Sequence, residues 1–182
     1  MKKYILYITS AILLLTLNGC YDLDRYPDYN VSAGTFWQTQ EHADQAMAGL
    51  YSMLQYDNIY GAYFGLDCLG SIGSGYDWAA HSGIGRGTYT ATEGIVVGKW
   101  TALYEGIARA NLIMQNIDKV EMSEELKGRY IAEAKFMRAF FYSELLNFYG
   151  GVPVFDESWI ISDSFNDMKE PRGTTGQVRG FI

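Results

Sequence analysis

Apolar positions recur at helical spacing through three stretches of this chain, and the long gap between the first two carries a different pattern. Ala43, Ala46, Met47, Leu50, Tyr51 and Leu54 fall on one face of a helix. Thr39 suits its N-cap, Glu41 places a negative charge in its first turn, and Asp57-Asn58 ends it. A second helix is predicted over Val97–Lys119, with Trp100, Leu103, Tyr104, Ile107, Ala110, Met114 and Ile117 as its stripe. Glu105 and Arg109, four residues apart, pair along its side. A third is predicted from Ser123, its N-cap, to about Tyr149, with Tyr130, Ala134, Met137, Phe141, Leu145 and Phe148 facing inward. Gly150-Gly151 and Pro153 stop it. Few residues separate the last two helices, so they are expected to pack as an antiparallel hairpin.

Two further stretches lack a helical period. Val152–Phe155 reads as a short extended piece, and a fourth helix begins at Thr174 or Thr175. It is cut off at Ile182, so the chain is expected to be truncated at its C-terminus. Residues 57–93 hold eight glycines and three serines together with Tyr60, Tyr63, Phe64, Tyr76, Trp78 and Tyr89. Glycine at that density discourages long helices, and a structureless stretch beyond ~15 residues inside a domain is usually functional. This insertion is the main candidate for a binding surface.

The N-terminus has its own pattern. Lys2 and Lys3 precede the apolar run Ile5–Leu17, and Leu17-Asn18-Gly19-Cys20 follows. A membrane-spanning helix needs ~20 apolar residues, so this run reads as an export signal instead. The spacing matches a lipobox, with Cys20 lipidated and left as the new N-terminus. The chain therefore divides into a lipoprotein signal peptide (1–19), an acidic tether and lead-in (20–38) and a mainly α domain (39–182). Helical hairpins and a long irregular glycine- and aromatic-rich insertion make up that domain.

Charge and composition narrow the chemistry. The formal charge of −7 becomes −9 when Lys2 and Lys3 leave with the signal. No clustered Lys or Arg exists to hold nucleic acid or an anionic membrane surface. Only Cys68 remains beside Cys20, and His42 and His81 lie far apart in sequence, so neither a disulfide within the chain nor a zinc site is expected. No nucleophile elbow, phosphate loop or paired carboxylates for acid–base work are recognisable. The expectation is a protein without catalytic residues or cofactor. Aromatic residues make up 15% of the chain, with fifteen tyrosines. Tyr and Trp rings stack on the apolar faces of pyranoses while their polar edges hydrogen-bond. Within the insertion, Tyr76 and Trp78 are the candidates for stacking, with Asp77, His81 and Arg86 hydrogen-bonding hydroxyls. Trp37 and Trp100, beside amphipathic stripes, read as core. Arg109, Asn111, Glu133 and Arg138 read as braces of helix packing.

Three blocks carry a resemblance. They are Thr35-Phe36-Trp37 with the helix through Gly49-Leu50-Tyr51, Trp100 through Tyr104-Glu105-Gly106-Ile107-Ala108-Arg109-Ala110-Asn111, and Ala132 through Tyr142 with Phe148-Tyr149-Gly150-Gly151-Val152-Pro153-Val154. Pro171-Arg172-Gly173-Thr174-Thr175 adds a fourth segment. In their order and spacing they resemble the N-terminal region of the SusD/RagB family of outer-membrane nutrient-binding lipoproteins of Bacteroidetes. Cys20-Tyr21-Asp22-Leu23-Asp24 fits the family's pattern of a lipobox cysteine followed by acidic residues, which implies export to the cell surface. The resemblance implies tetratricopeptide-like helix pairs, no catalysis, and a role as lid on a SusC-like TonB-dependent transporter of the outer membrane. Its ligand would be an oligosaccharide or polysaccharide, or in some members a peptide. The resemblance implies a length of several hundred residues, so the C-terminal part is expected to be missing from this chain. The rival readings are a helical scaffold lipoprotein that binds proteins only and a non-functional fragment of such a gene.

Overall fold

A computed structural model describes residues 36–61, 67–70, 73, 80–159 and 169–182. Cys20, the predicted signal peptide and the predicted tether and lead-in up to residue 35 lie outside these residues. Five α-helices order the described chain: α1 (Gln40–Ser52), α2 (Ala80–Gly85), α3 (Gly94–Asn116), α4 (Glu124–Tyr149) and α5 (Thr175–Phe181). Among the described residues there are no strands. One isolated parallel bridge joins Thr39 to Glu121, with the Glu121 N–H donating to the Gln38 carbonyl at 3.1 Å.

Helices α3 and α4 form the predicted antiparallel hairpin. Trp100 meets Tyr149, Tyr104 meets Tyr142, and Asn111 meets Arg138, so rising numbers on one helix face falling numbers on the other. The helices approach closely at Gly106, where a Cβ would stand 2.5 Å from the ring of Phe141. Only a residue without a side chain lets that fully buried ring lie against the backbone. Around it, Leu103, Ile107, Ala110, Met137 and Leu145 complete the core, and α1 covers it with Ala43, Met47 and Leu50. Trp37 and Trp100, expected in the core, pack against its edge and are half-buried.

The helix ends follow local chemistry. Ser123 caps α4, its Oγ accepting from the Leu126 N–H at 3.3 Å. Gly150 ends it at φ 71°, in the left-handed region that glycine adopts readily. Arg172 then returns to donate to the carbonyls of Tyr149 at 2.8 Å and Gly151 at 2.7 Å, a cation at the negative end of the helix. Thr174 and Gln177 make a reciprocal capping box at the start of α5. Val178 of that helix is fully buried, and Phe181 lies edge-on against Tyr142.

Two helix boundaries, one inward position and the character of the insertion differ from the pattern-based expectation. Helix α1 stops at Ser52, and the chain continues through a 3-10 turn (Met53–Gln55) and a π-helical turn (Asp57–Gly61). Tyr56 takes an extended conformation, and its carbonyl receives both the Ile59 and Gly61 N–H groups. Helix α3 begins three residues early, at Gly94. Phe148, placed on the inward stripe by periodicity, is 41% exposed. The insertion also contains regular structure, since α2 lies within it.

Candidate functional site

The insertion and the open end of the α3–α4 hairpin enclose a cavity of about 220 Å³. Ile59, Leu69 and Ile84 line it from the insertion, and Ile95, Phe148 and Tyr149 from the hairpin. Lys99 supplies another part of the wall. Its ammonium is enclosed, 3.1 Å from Glu144 Oε2 and 4.2 Å from the centre of the Phe148 ring. The separation from Glu144 makes an ion pair, although no Lys99 N–H is aligned for a hydrogen bond. Glu144 also accepts from the Tyr60 hydroxyl at 3.1 Å. An ammonium with water excluded is tolerated only beside such an anion and such a ring face. The ion pair ties α3 to α4, the Tyr60 bond fastens the insertion's first turn to the same carboxylate, and the inaccessible nitrogen leaves the cavity walls largely apolar.

Of the predicted ligand residues, Tyr76, Asp77 and Trp78 lie outside the described residues. His81 lies on α2, and Arg86 follows that helix on an exposed turn. The turn is closed by the Gly87 N–H to the Ile84 carbonyl and the Thr88 N–H to the Gly83 carbonyl, both at 2.9 Å. Helix α2 contributes Ile84 to the cavity wall and carries His81, and Arg86 is the first residue after it.

A second concavity, about 390 Å³, runs along the outer face of α3. Tyr104, Ile107, Ala108 and Leu112 form one side, and Phe155 and Trp159 the other. Pattern reading missed it, because Phe155 and Trp159 sit in an irregular segment with no period to mark them. Buried polar groups clamp that segment onto the hairpin. Asn111 donates to the Phe155 carbonyl at 3.1 Å, and the Tyr142 hydroxyl accepts from the Phe155 N–H at 2.7 Å. Burial pushes the Tyr142 hydroxyl up to about 12, so it stays neutral in that role. Arg138, nearly buried, donates to Asn111 Oδ1 at 2.7 Å and to Glu157 at 2.5 Å. The hydrogen bond from Arg138 holds the Glu157 carboxyl below the usual carboxylate range. The predicted brace role of Asn111 and Arg138 is observed, and the partner includes the loop after α4 as well as a helix. Arg109 likewise bonds the Gly49 carbonyl and Glu105, both at 2.7 Å.

Comparison with known proteins settles the relationship. A family model described as "Starch-binding associating with outer membrane" matches residues 22–180. The chain belongs to this SusD-like family. A SusD-like protein of Formosa agariphila, P25, is 29% identical over 170 residues, covering 86% of this chain and 32% of that protein. A SusD-like protein of Bacteroides ovatus is 27% identical over 172 residues, covering 90% of this chain and 30% of that protein. This SusD-like chain thus spans about a third of the length of the relatives it matches. The crystal structure of a SusD-like protein from Bacteroides fragilis superposes with a TM-score of 0.66 at 21% identity, over 86% of this chain and 30% of that one. A SusD homologue from Bacteroides thetaiotaomicron gives 0.61 at 27% identity, over 78% and 28%. The SusD-like fold is therefore shared by the helical scaffold described above. Among the described residues, no helix is long and apolar enough to cross a membrane, and no group of three metal-ligating side chains converges.

Proposed function

We propose that this chain belongs to a cell-surface lipoprotein that captures a glycan and passes it to a SusC-like TonB-dependent transporter of the outer membrane. The observation that carries the reading is the family match over residues 22–180, with its starch-binding description. Cys20, behind its apolar run, would carry the lipid that holds the protein at the membrane. Capture needs no bond-making. Tyr76 and Trp78 would stack on sugar rings while Asp77, His81 and Arg86 hydrogen-bond hydroxyls. Each stacking contact is worth on the order of 1 kcal/mol, so useful affinity requires several along one oligomer. The formal charge of −9 left once Lys2 and Lys3 depart with the signal suits a neutral glycan better than an anionic one.

Trp78→Ala combined with Tyr76→Ala tests this reading by isothermal titration against soluble amylopectin, xylan, galactomannan and laminarin. The expected result is binding of at least one glycan by the wild type, a large loss in the double variant, and little change in thermal stability. A collapse of stability would mean that the two rings belong to a core. Metabolic labelling with a fatty-acid analogue should mark the wild type and not Cys20→Ala.

A further inference from the structure

We infer that the groove between α3 and the segment 155–159 is a second stacking subsite, shaped for a pyranose ring of a neutral glycan. The inference rests on the capture reading above and adds a place for it outside the insertion. Size favours the groove, because its 390 Å³ lies in the range of small-molecule sites, whereas the 220 Å³ cavity falls below it.

The stacking platform is already ordered. Phe155 and Trp159 lie with ring centres 4.5 Å apart. The backbone carrying them is fixed by Asn111, by the Tyr142 hydroxyl, and by Gln115, whose Nε2 donates to the Glu157 and Trp159 carbonyls at 2.9 and 3.0 Å. A ring docking there orders little that is not ordered already, which is how preorganisation raises affinity. The opposite wall presents the exposed methyl of Ala108, too small to fill the space.

The rim supplies what a sugar's hydroxyls need. Glu105 and Arg109 pair at 2.7 Å with side chains 42% and 36% exposed, so each keeps hydrogen-bonding capacity toward a ligand. Arg109 is aimed by its bond to the Gly49 carbonyl. Acceptor and donor stand side by side with cancelling charge, which matches vicinal hydroxyls and gives no preference for an anion or a cation. A ring with apolar C–H faces and polar edges fits an aromatic floor under such a rim.

The test uses the full-length protein, affinity electrophoresis and isothermal titration with the same four glycans. Trp159→Ala should weaken binding about tenfold, by loss of one stacking contact. Ala108→Phe fills the groove from a solvent-exposed position and should weaken binding at least as much with an unchanged Tm. Ala132→Phe, the same change at an exposed position on α4, should leave affinity unaltered. Wild-type affinity in both groove variants would overturn the subsite and leave the capture reading standing. A large fall in Tm for Ala108→Phe would show the groove to be filled by protein, which also overturns it. If the wild type binds none of the four glycans, the capture reading fails and the subsite fails with it.

Discussion

The α3–α4 hairpin and the insertion at 57–93 are built by different means. In the hairpin, long apolar stripes bury rings and aliphatic side chains against one another, and a single glycine, Gly106, sets the closest approach. The described parts of the insertion use short turns. There, Gly85 brings backbone against backbone, and a Cβ on it would stand 2.4 Å from the Cys68 carbonyl oxygen. One region is held by side-chain volume and the other by local backbone hydrogen bonds with few buried apolar residues, Ile59 among them. Global stability should therefore reside in the hairpin, leaving the insertion to vary at small cost, as a recognition surface must.

The sharpest way to break that contrast is Phe141→Ala. The ring is fully buried against Gly106, and its removal opens a cavity between the helices. Urea unfolding should show a loss of about 3–5 kcal/mol, typical of a buried Phe truncation. A loss under ~1 kcal/mol would mean that the hairpin is not the stability core. Arg138→Met comes next. It preserves most of the packing under Phe181 and orphans Asn111 Oδ1, which is buried. Glu157 is 43% exposed and can be solvated, so the cost should fall below that of breaking a fully buried pair, at about 2 kcal/mol. The same variant should loosen the 155–159 segment and expose Trp159 to acrylamide quenching.

The hairpin was legible because burial on one face writes itself into sequence at helical spacing. Leu103, Ile107, Ala110, Ala134, Met137 and Phe141 all fall on that period and are all buried. Capping is legible at Ser123, where one side chain decides the boundary, whereas at Thr174 only the helix start is legible and not its capping box. Two kinds of feature escaped. Lys99 and Tyr142 are buried although neither lies on an apolar stripe, because their partners Glu144 and the Phe155 backbone come from elsewhere in the chain. The groove escaped as well, since its aromatic wall depends on hydrogen bonds that pin an irregular segment. Of the predicted ligand residues, only His81 and Arg86 received a place in the fold, by way of α2.

A smaller effect sharpens the contrast from the other side. Gly85→Ala forces a Cβ onto the Cys68 carbonyl and must shift the insertion locally. Its cost should be about 1 kcal/mol or more in local opening, read as faster amide exchange across 83–88, with the exchange of α3 and α4 unchanged. If amides of the hairpin accelerate equally, the two regions unfold as one unit and the contrast fails.

The smallest effect is a pH dependence at the clamp between the hairpin and the loop after α4. Hydrogen bonding from Arg138 lowers the pKa of Glu157 below its ordinary value of 4.5. The unfolded chain thus takes up a proton on this group at a higher pH than the folded chain does. The clamp's contribution is complete above pH ~4.5 and fades as pH falls through the folded value. Asp156 shifts in the same direction, chiefly through the Ser158 hydroxyl and then its N–H, so the two residues act together. Because Glu157 is 43% exposed, solvent screening limits its share to well under ~1 kcal/mol. Glu157→Gln should lower Tm slightly at pH 7 and flatten the acid limb of the Tm profile, so that wild type and variant converge near pH 3. Parallel profiles over the whole range would show that the Arg138–Glu157 pair contributes packing alone, and that the segment carrying Phe155 and Trp159 is held by Asn111, Gln115 and Tyr142.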